Sequence, residues 1–280
     1  MIRTSTRLVL AVLLTLTARS PLFAQAAADD DKGLKPGQPD FTLVSLPTSL
    51  RLPQFGAAFR VTHRFSLALN DTDFGDVAGG LFGIDSAAVT GLEFRFGIVP
   101  GGQIGVHHSS DNRTWQFFGQ YALVRQDALL PVDVSALVSV DLPREPAGSL
   151  YKRDAVPGVT FIVSRTVRDR AAFYVEPMFV GNVFNEFGTA ATSDRAFMMG
   201  FGGRVRVWPT VYLVAEAVPR VSGFKANRNH VAFAVEKRVG GHMFQLNVSN
   251  SFSTTIGQLA MGADPTNNWH FGFNISRKFF

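Results

Sequence analysis

From Val132 to Leu142 the chain reads VDVSALVSVDL, apolar at every even position, with Asp133, Ser135, Ser139 and Asp141 among the odd ones. A period of two puts one chemistry on each face of a β-strand. The alternation recurs about a dozen times between Ala57 and the C-terminus, and the connections between repeats are short and long by turns. A soluble sandwich would have to bring the apolar faces together and charge the others, yet charged residues make up only 18% of the chain and phenylalanine, at 26 residues, crowds the apolar faces. The expected fold is therefore all-β, a transmembrane antiparallel up-and-down barrel of about 12 strands.

The N-terminus fits export. Arg3 and Arg7 precede the apolar run from Leu8 to Ala18, and small residues follow around Ala24 and Ala26. This pattern predicts a signal peptide over 1–26, cleaved after residue 24 or 26. The run is shorter than the roughly 20 residues a membrane-spanning helix needs, and no later segment supplies one. Residues 27–56 carry Asp29, Asp30, Asp31 and Pro36, Pro39, Pro47 and Pro53 with weak alternation, which predicts a partly disordered periplasmic leader. The barrel is expected over 57–280.

Cleavage removes Arg3, Arg7 and Arg19 and no acid, so the formal charge of +5 falls to +2, and no basic domain argues for nucleic acid. The chain has no cysteine, which excludes a disulfide framework, a thiolate nucleophile and a lipid anchor on Cys. His107 and His108 are adjacent on a strand and point to opposite faces, so no metal site is expected there, nor any other cofactor.

The strand faces follow directly. Phe59, Val61, Phe65 and Leu67 oppose Arg60, Thr62 and Arg64; Leu92, Phe94 and Phe96 oppose Glu93 and Arg95; Phe197, Met199, Phe201, Val205 and Val207 oppose Arg204 and Arg206. Val231, Phe233 and Val235 oppose His230, Glu236 and Arg238, and Phe271, Phe273 and Ile275 oppose His270, Asn274 and Ser276. An even strand number puts both ends of the barrel in the periplasm and the longer loops outside, in a bacterial outer membrane. Pro177 and Pro219 fall inside strands, so each predicts a bulge or a strand end. His63 sits in the outward phase among Phe and Val, so either a bulge or a protein contact must shelter it, and Phe280 is out of step with Phe271, Phe273 and Ile275, which predicts an irregularity near Arg277 and Lys278.

The stretches FRVTHRF (Phe59 to Phe65), LFGID (Leu81 to Asp85), GQYALVRQ (Gly119 to Gln126) and GFNISRKF (Gly272 to Phe279) resemble an uncharacterised family of bacterial outer-membrane β-barrels, a domain of unknown function typical of Bacteroidetes and Acidobacteria. The resemblance runs from about Thr42 to Phe280. It implies an outer-membrane barrel and carries no catalytic or ligand residues to this chain.

The inward phase collects Arg60, Arg64, Glu93, Arg95, Asp133, Asp141, Glu176, Arg204, Arg206, Glu216, Glu236 and Arg238. If hydrated, these would line a selective pore, with Arg204, Arg206 and Arg95 as an anion-attracting wall; if cross-paired, they would hold a narrow barrel shut. Phe74, Leu81 and Phe82, Phe184 and Phe187, and Phe252, Ile256, Leu259 and Met261 lie in the long loops, where apolar side chains need cover; either the loops pack ordinarily or they fold into the mouth. His108 and Ser110 share the outward phase, with Asn112 near, in the manner of a lipid hydrolase, but Ser, Asp and Asn are also ordinary turn residues. The expectation is a non-enzymatic, porin-like channel or passive small-solute transporter. A closed structural or partner-binding barrel is the alternative, and a lipid hydrolase the distant third. Expected partners are outer-membrane lipid, the barrel-assembly machinery during biogenesis, and small solutes.

Overall fold

A computed structural model describes residues 36–71, 73–126, 130–144, 154–184 and 193–280. The expected signal peptide, the first part of the leader, Phe187, and parts of the connections after Val124, Leu142 and Val180 lie outside the described residues.

The strands are β1 (Ala57–Ala68), β2 (Ala88–Val99), β3 (Gly102–Ser109), β4 (Thr114–Val124), β5 (Asp133–Leu142), β6 (Val156–Val167), β7 (Ala171–Val180), β8 (Ala196–Trp208), β9 (Val211–Val218), β10 (Arg220–Gly223), β11 (His230–Val239), β12 (His242–Ser249) and β13 (His270–Phe279). Two short helices, α1 (Phe74–Gly79) and α2 (Ile256–Met261), lie in long loops. Each strand pairs antiparallel with its neighbours, β1 pairs with β13, and β8 pairs with both β9 and β10. β9 and β10 are halves of one strand interrupted at Pro219, so the sheet closes as a barrel of twelve crossings.

Closure leaves no sheet edge, and every strand can then present a polar face inward and an apolar face outward. The burial is inverted relative to a water-soluble protein. Phe94, Phe161, Phe201 and Phe233 are exposed, whereas Arg64, Arg204, Glu176 and Glu236 are fully buried. Among the described residues no helix is long and apolar enough to cross a membrane; the strands make the crossing.

The two prolines behave differently. Pro219 ends β9, and the β10 register against β8 shifts between Arg220 and Ser222. Pro177 makes neither a bulge nor an end. The β6–β7 register is the same on both sides of it, and only the pairs opposite Glu176 and Pro177 are missing from the ladder. The missing N–H is tolerated as a local gap. His63 is sheltered by rings, stacked at 4.9 Å on Phe273 and 4.4 Å from Phe65. β13 keeps one register with β1 from Gly272 to Phe279, the shift in that ladder lying at its other end between Arg64 and Ala68, so there is no irregularity at Arg277 or Lys278: Arg277 stays outward, its guanidinium 5.3 Å from the Phe279 ring, and Phe280 turns in to pack with Phe41, Leu50 and Leu52.

Candidate functional site in the filled lumen

Most of the described part of the leader runs inside the barrel. Residues 37–50 are buried within the barrel. The segment comes in at the rim of short turns, where Gly37 lies against Thr166 and Asp169, and Gln38 donates to the Tyr174 hydroxyl at 2.9 Å. It then folds back on itself. The Leu43 N–H donates to the Leu46 carbonyl at 2.8 Å and the Thr48 N–H to the Phe41 carbonyl at 2.8 Å, closing a hairpin around Val44 to Pro47. Asp40 braces its base by accepting the Phe41 N–H at 2.9 Å, while its own carbonyl accepts the Thr48 hydroxyl at 2.8 Å. The return limb leaves at Pro53, and Phe55 N–H donates to Gly97 at the start of the ascent into β1. Phe41, Leu43, Val44, Leu46 and Leu50 are the physical reason: a leader this apolar gains by leaving water.

A buried hairpin with no sheet partner must satisfy its backbone through side chains. The wall supplies them. Glu216, on β9, accepts the N–H groups of Val44 (2.9 Å), Ser45 (2.8 Å) and Leu46 (3.1 Å), and also His230 Nε2 at 2.8 Å. The carbonyls of Thr42, Leu43, Val44 and Thr48 accept from Arg204 (2.7 Å), Gln245 (2.9 Å), Asn274 (3.0 Å) and Gln120 (2.8 Å). Burial alone would raise the Asp40 carboxyl, but Lys278 at 3.4 Å, Arg204 beyond it, and hydrogen bonds from Ser276 and Phe41 hold it below the ordinary carboxylate range.

A second insert descends from the opposite rim. Residues 253–261 are buried, and Thr255 caps α2 by accepting the Gln258 N–H at 3.2 Å. Asp141 on β5 anchors the insert, accepting the Thr255 hydroxyl at 2.5 Å and the Gly257 N–H at 3.1 Å. Ile256, Leu259 and Met261 join the same apolar cluster as Leu43, Val44 and Leu46. The two inserts meet where the Ser45 hydroxyl donates to the Ser253 carbonyl at 2.7 Å. Between them remains a cavity of about 20 Å³ bordered by Arg60, Glu93 and Arg95, room for a single water.

The twelve inward charged residues fall into distinct settings. Glu93 gathers Arg60 (2.8 Å), Arg95 (2.6 Å) and His107 (3.5 Å), and Arg204 forks onto Glu236 at 2.6 and 2.9 Å. Arg51 of the leader reaches Asp133 at 3.2 Å. Arg64 donates to Asn274 at 2.8 Å, Asp141 and Glu216 hold the two inserts, and Glu176 is fully buried beside Leu46 with neither carboxyl oxygen hydrogen-bonded. Arg206 and Arg238 stand half-buried near the short-turn rim. The anion wall expected of Arg95, Arg204 and Arg206 is thus not assembled as a wall: Arg95 and Arg204 are each committed to a carboxylate.

The family model described as "Membrane bound beta barrel domain (DUF5777)" matches residues 41–279. The chain belongs to this family. The match begins at Phe41, so in this DUF5777 barrel it takes in the hairpin as well as the strands. No curated protein matches. Among solved structures, the NanC porin aligns with a TM-score of 0.50 at 8% identity over 79% of this chain and 98% of its own. The KdgM porin aligns at 0.47 and 6% over 80% and 99%, and Omp33 of Acinetobacter baumannii at 0.41 and 11% over 81% and 99%. At these identities the likeness is one of outer-membrane barrel fold.

Reading the sequence for charge overlooked the neutral residues that do much of the holding. Gln103, Gln120, Gln245 and Asn274 all reach the leader's carbonyls. Their signal was present, since each occupies the inward phase of its strand. His108 and Ser110 have separate partners: the His108 ring stacks on Trp115 at 4.4 Å, and the Ser110 hydroxyl accepts the Thr90 N–H at 2.9 Å.

Proposed function

We propose that this DUF5777 protein is a non-enzymatic outer-membrane barrel that is closed at rest, and that its interior charges serve first to seat its own leader. The observation that carries this reading is the Glu216 carboxylate with three consecutive leader amides on it. In this reading the chain is exported by a signal peptide cleaved after residue 24 or 26, which N-terminal sequencing of the mature protein tests. Solute passage is the second reading, and one feature favours it. The hairpin enters and leaves at the same rim and is held by side-chain hydrogen bonds and apolar packing rather than by pairing into the sheet, so it can withdraw without breaking a strand ladder. Withdrawal would expose Arg60, Arg95, Arg204, Glu93, Glu216 and Glu236 to water as a mixed-charge lumen.

Planar-bilayer recording separates the readings. The full chain is expected to give no channel steps, and a variant lacking residues 38–52 is expected to give them. A steady current from the full chain overturns the closed reading. Silence from the deletion variant, with its barrel folded, overturns passage.

A further inference from the structure

We propose that the loop between β1 and β2 is a membrane anchor, laid over the outside of the barrel and inserted into the lipid of the outer leaflet. The loop does not turn toward the mouth, as the α2 insert does. It packs on the outward face of β1 and β13: a Cβ at Gly83 would press on Leu67 and Phe65, and Phe65 is only 6% exposed where Phe59, on the same face, is 38%. Ser86 pins it there, its hydroxyl donating to the Gly83 carbonyl at 2.7 Å and accepting the Leu67 N–H at 3.2 Å.

A ladder of rings runs from the barrel wall into the loop. Phe273 is followed by Phe65 at 6.2 Å, Phe65 by Phe271 at 5.9 Å, Phe271 by Phe82 at 6.4 Å, and Phe82 by Phe74 at 6.5 Å. The lower rungs belong to the face that the membrane must cover. The upper rungs continue it and end in Phe74, 77% exposed, and Ile84 of the same loop is 55% exposed. Phenylalanines so exposed have no cover in water, whereas an apolar edge set beside carboxylates suits the boundary between acyl chains and headgroups. Asp71, Asp73, Asp76 and Asp85 supply the polar side and are exposed. The partner is therefore lipid, because the surface is an extension of one that lipid already covers.

The absence of cysteine permits clean single-site labelling. Nitroxides are placed at Phe74→Cys and separately at Ile84→Cys in the full chain, reconstituted in phospholipid vesicles, with Phe233→Cys as lipid reference and Thr210→Cys as aqueous reference. Folding of each variant is checked by its heat-modifiable mobility. Collision with oxygen exceeding collision with a water-soluble nickel chelate, in the sense shown by Phe233→Cys, is the expected result at both loop sites. Nickel-dominated relaxation matching Thr210→Cys overturns the proposal. Spin–spin broadening that disappears on dilution with unlabelled chain also overturns it, since the cover would then be a second copy.

Discussion

Glu216→Ala is the sharpest perturbation of the seal. It strands the buried N–H groups of Val44, Ser45 and Leu46, which Glu216 accepts at 2.9, 2.8 and 3.1 Å. Leaving one buried donor without a partner costs about 1–3 kcal/mol. Even at the low end three stranded amides cost about 3 kcal/mol, and because they share one acceptor the individual costs do not add cleanly. That is about a hundredfold in the ratio of seated to unseated leader at about 1.4 kcal/mol per decade. Amide hydrogen exchange read by mass spectrometry on peptides covering 41–50 measures the opening directly, since protection follows the opening equilibrium. Exchange in this stretch should accelerate about a hundredfold while β4–β5 peptides keep their protection. Glu216→Gln keeps a carbonyl acceptor and should fall between. Unchanged exchange in Glu216→Ala, with the barrel folded by electrophoretic mobility, would refute the idea that this carboxylate seats the hairpin.

Asp40 gives a pH dependence with a definite sign. Its folded value lies below the ordinary one, so its contribution is present above about pH 4 and is lost as the pH falls through the lowered folded value. A bimane probe at Ser45→Cys should report unseating on acidification, and the part due to Asp40 should vanish in Asp40→Asn; a titration unchanged by that substitution counts against the assignment. Asp141→Ala removes the acceptor of Thr255 and Gly257, at about 1–3 kcal/mol per stranded donor. Protease added outside intact cells should then cut within 252–263, and resistance equal to the parent would show that Asp141 does not anchor the insert.

The wall was legible in the sequence because alternation is a local property. Asp133 to Leu142 shows its two faces within ten residues, and the other long strands repeat the rule. The leader was not legible for the opposite reason. Phe41, Leu43, Val44 and Leu46 form no periodic pattern, and for Leu43, Val44 and Leu46 much of what covers and holds them comes from β8, β9, β12 and β13, far along the chain. The four prolines and three consecutive aspartates of the same segment pointed to solvent. Its apolar content, however, was a signal that some cover had to exist. Charge gave a similarly partial view. It found Glu216 and Arg204, but Arg204 holds only the Thr42 carbonyl, and the glutamine and asparagine donors beside it hold those of Leu43, Val44 and Thr48.

The separations along the chain also set an order of assembly. The hairpin's wall contacts span 170 residues to Glu216, 202 to Gln245 and 230 from Val44 to Asn274. With β9 and β10 counted as the one interrupted strand, the β-ladders themselves join neighbours in sequence, except for the closing pair β1 and β13. Contacts between distant residues form late because the intervening loop must close first. Glu216, Gln245 and Asn274 have no fixed relative positions until β9, β12 and β13 are paired, so the hairpin has no socket before the barrel closes. Refolding into detergent followed by two probes should therefore show the heat-modifiable barrel band rising first and protection of residues 41–50 following it. Protection that appears before the band would mean that the leader templates the wall. In that case removing residues 38–52 should slow folding of the barrel rather than leave it unaltered.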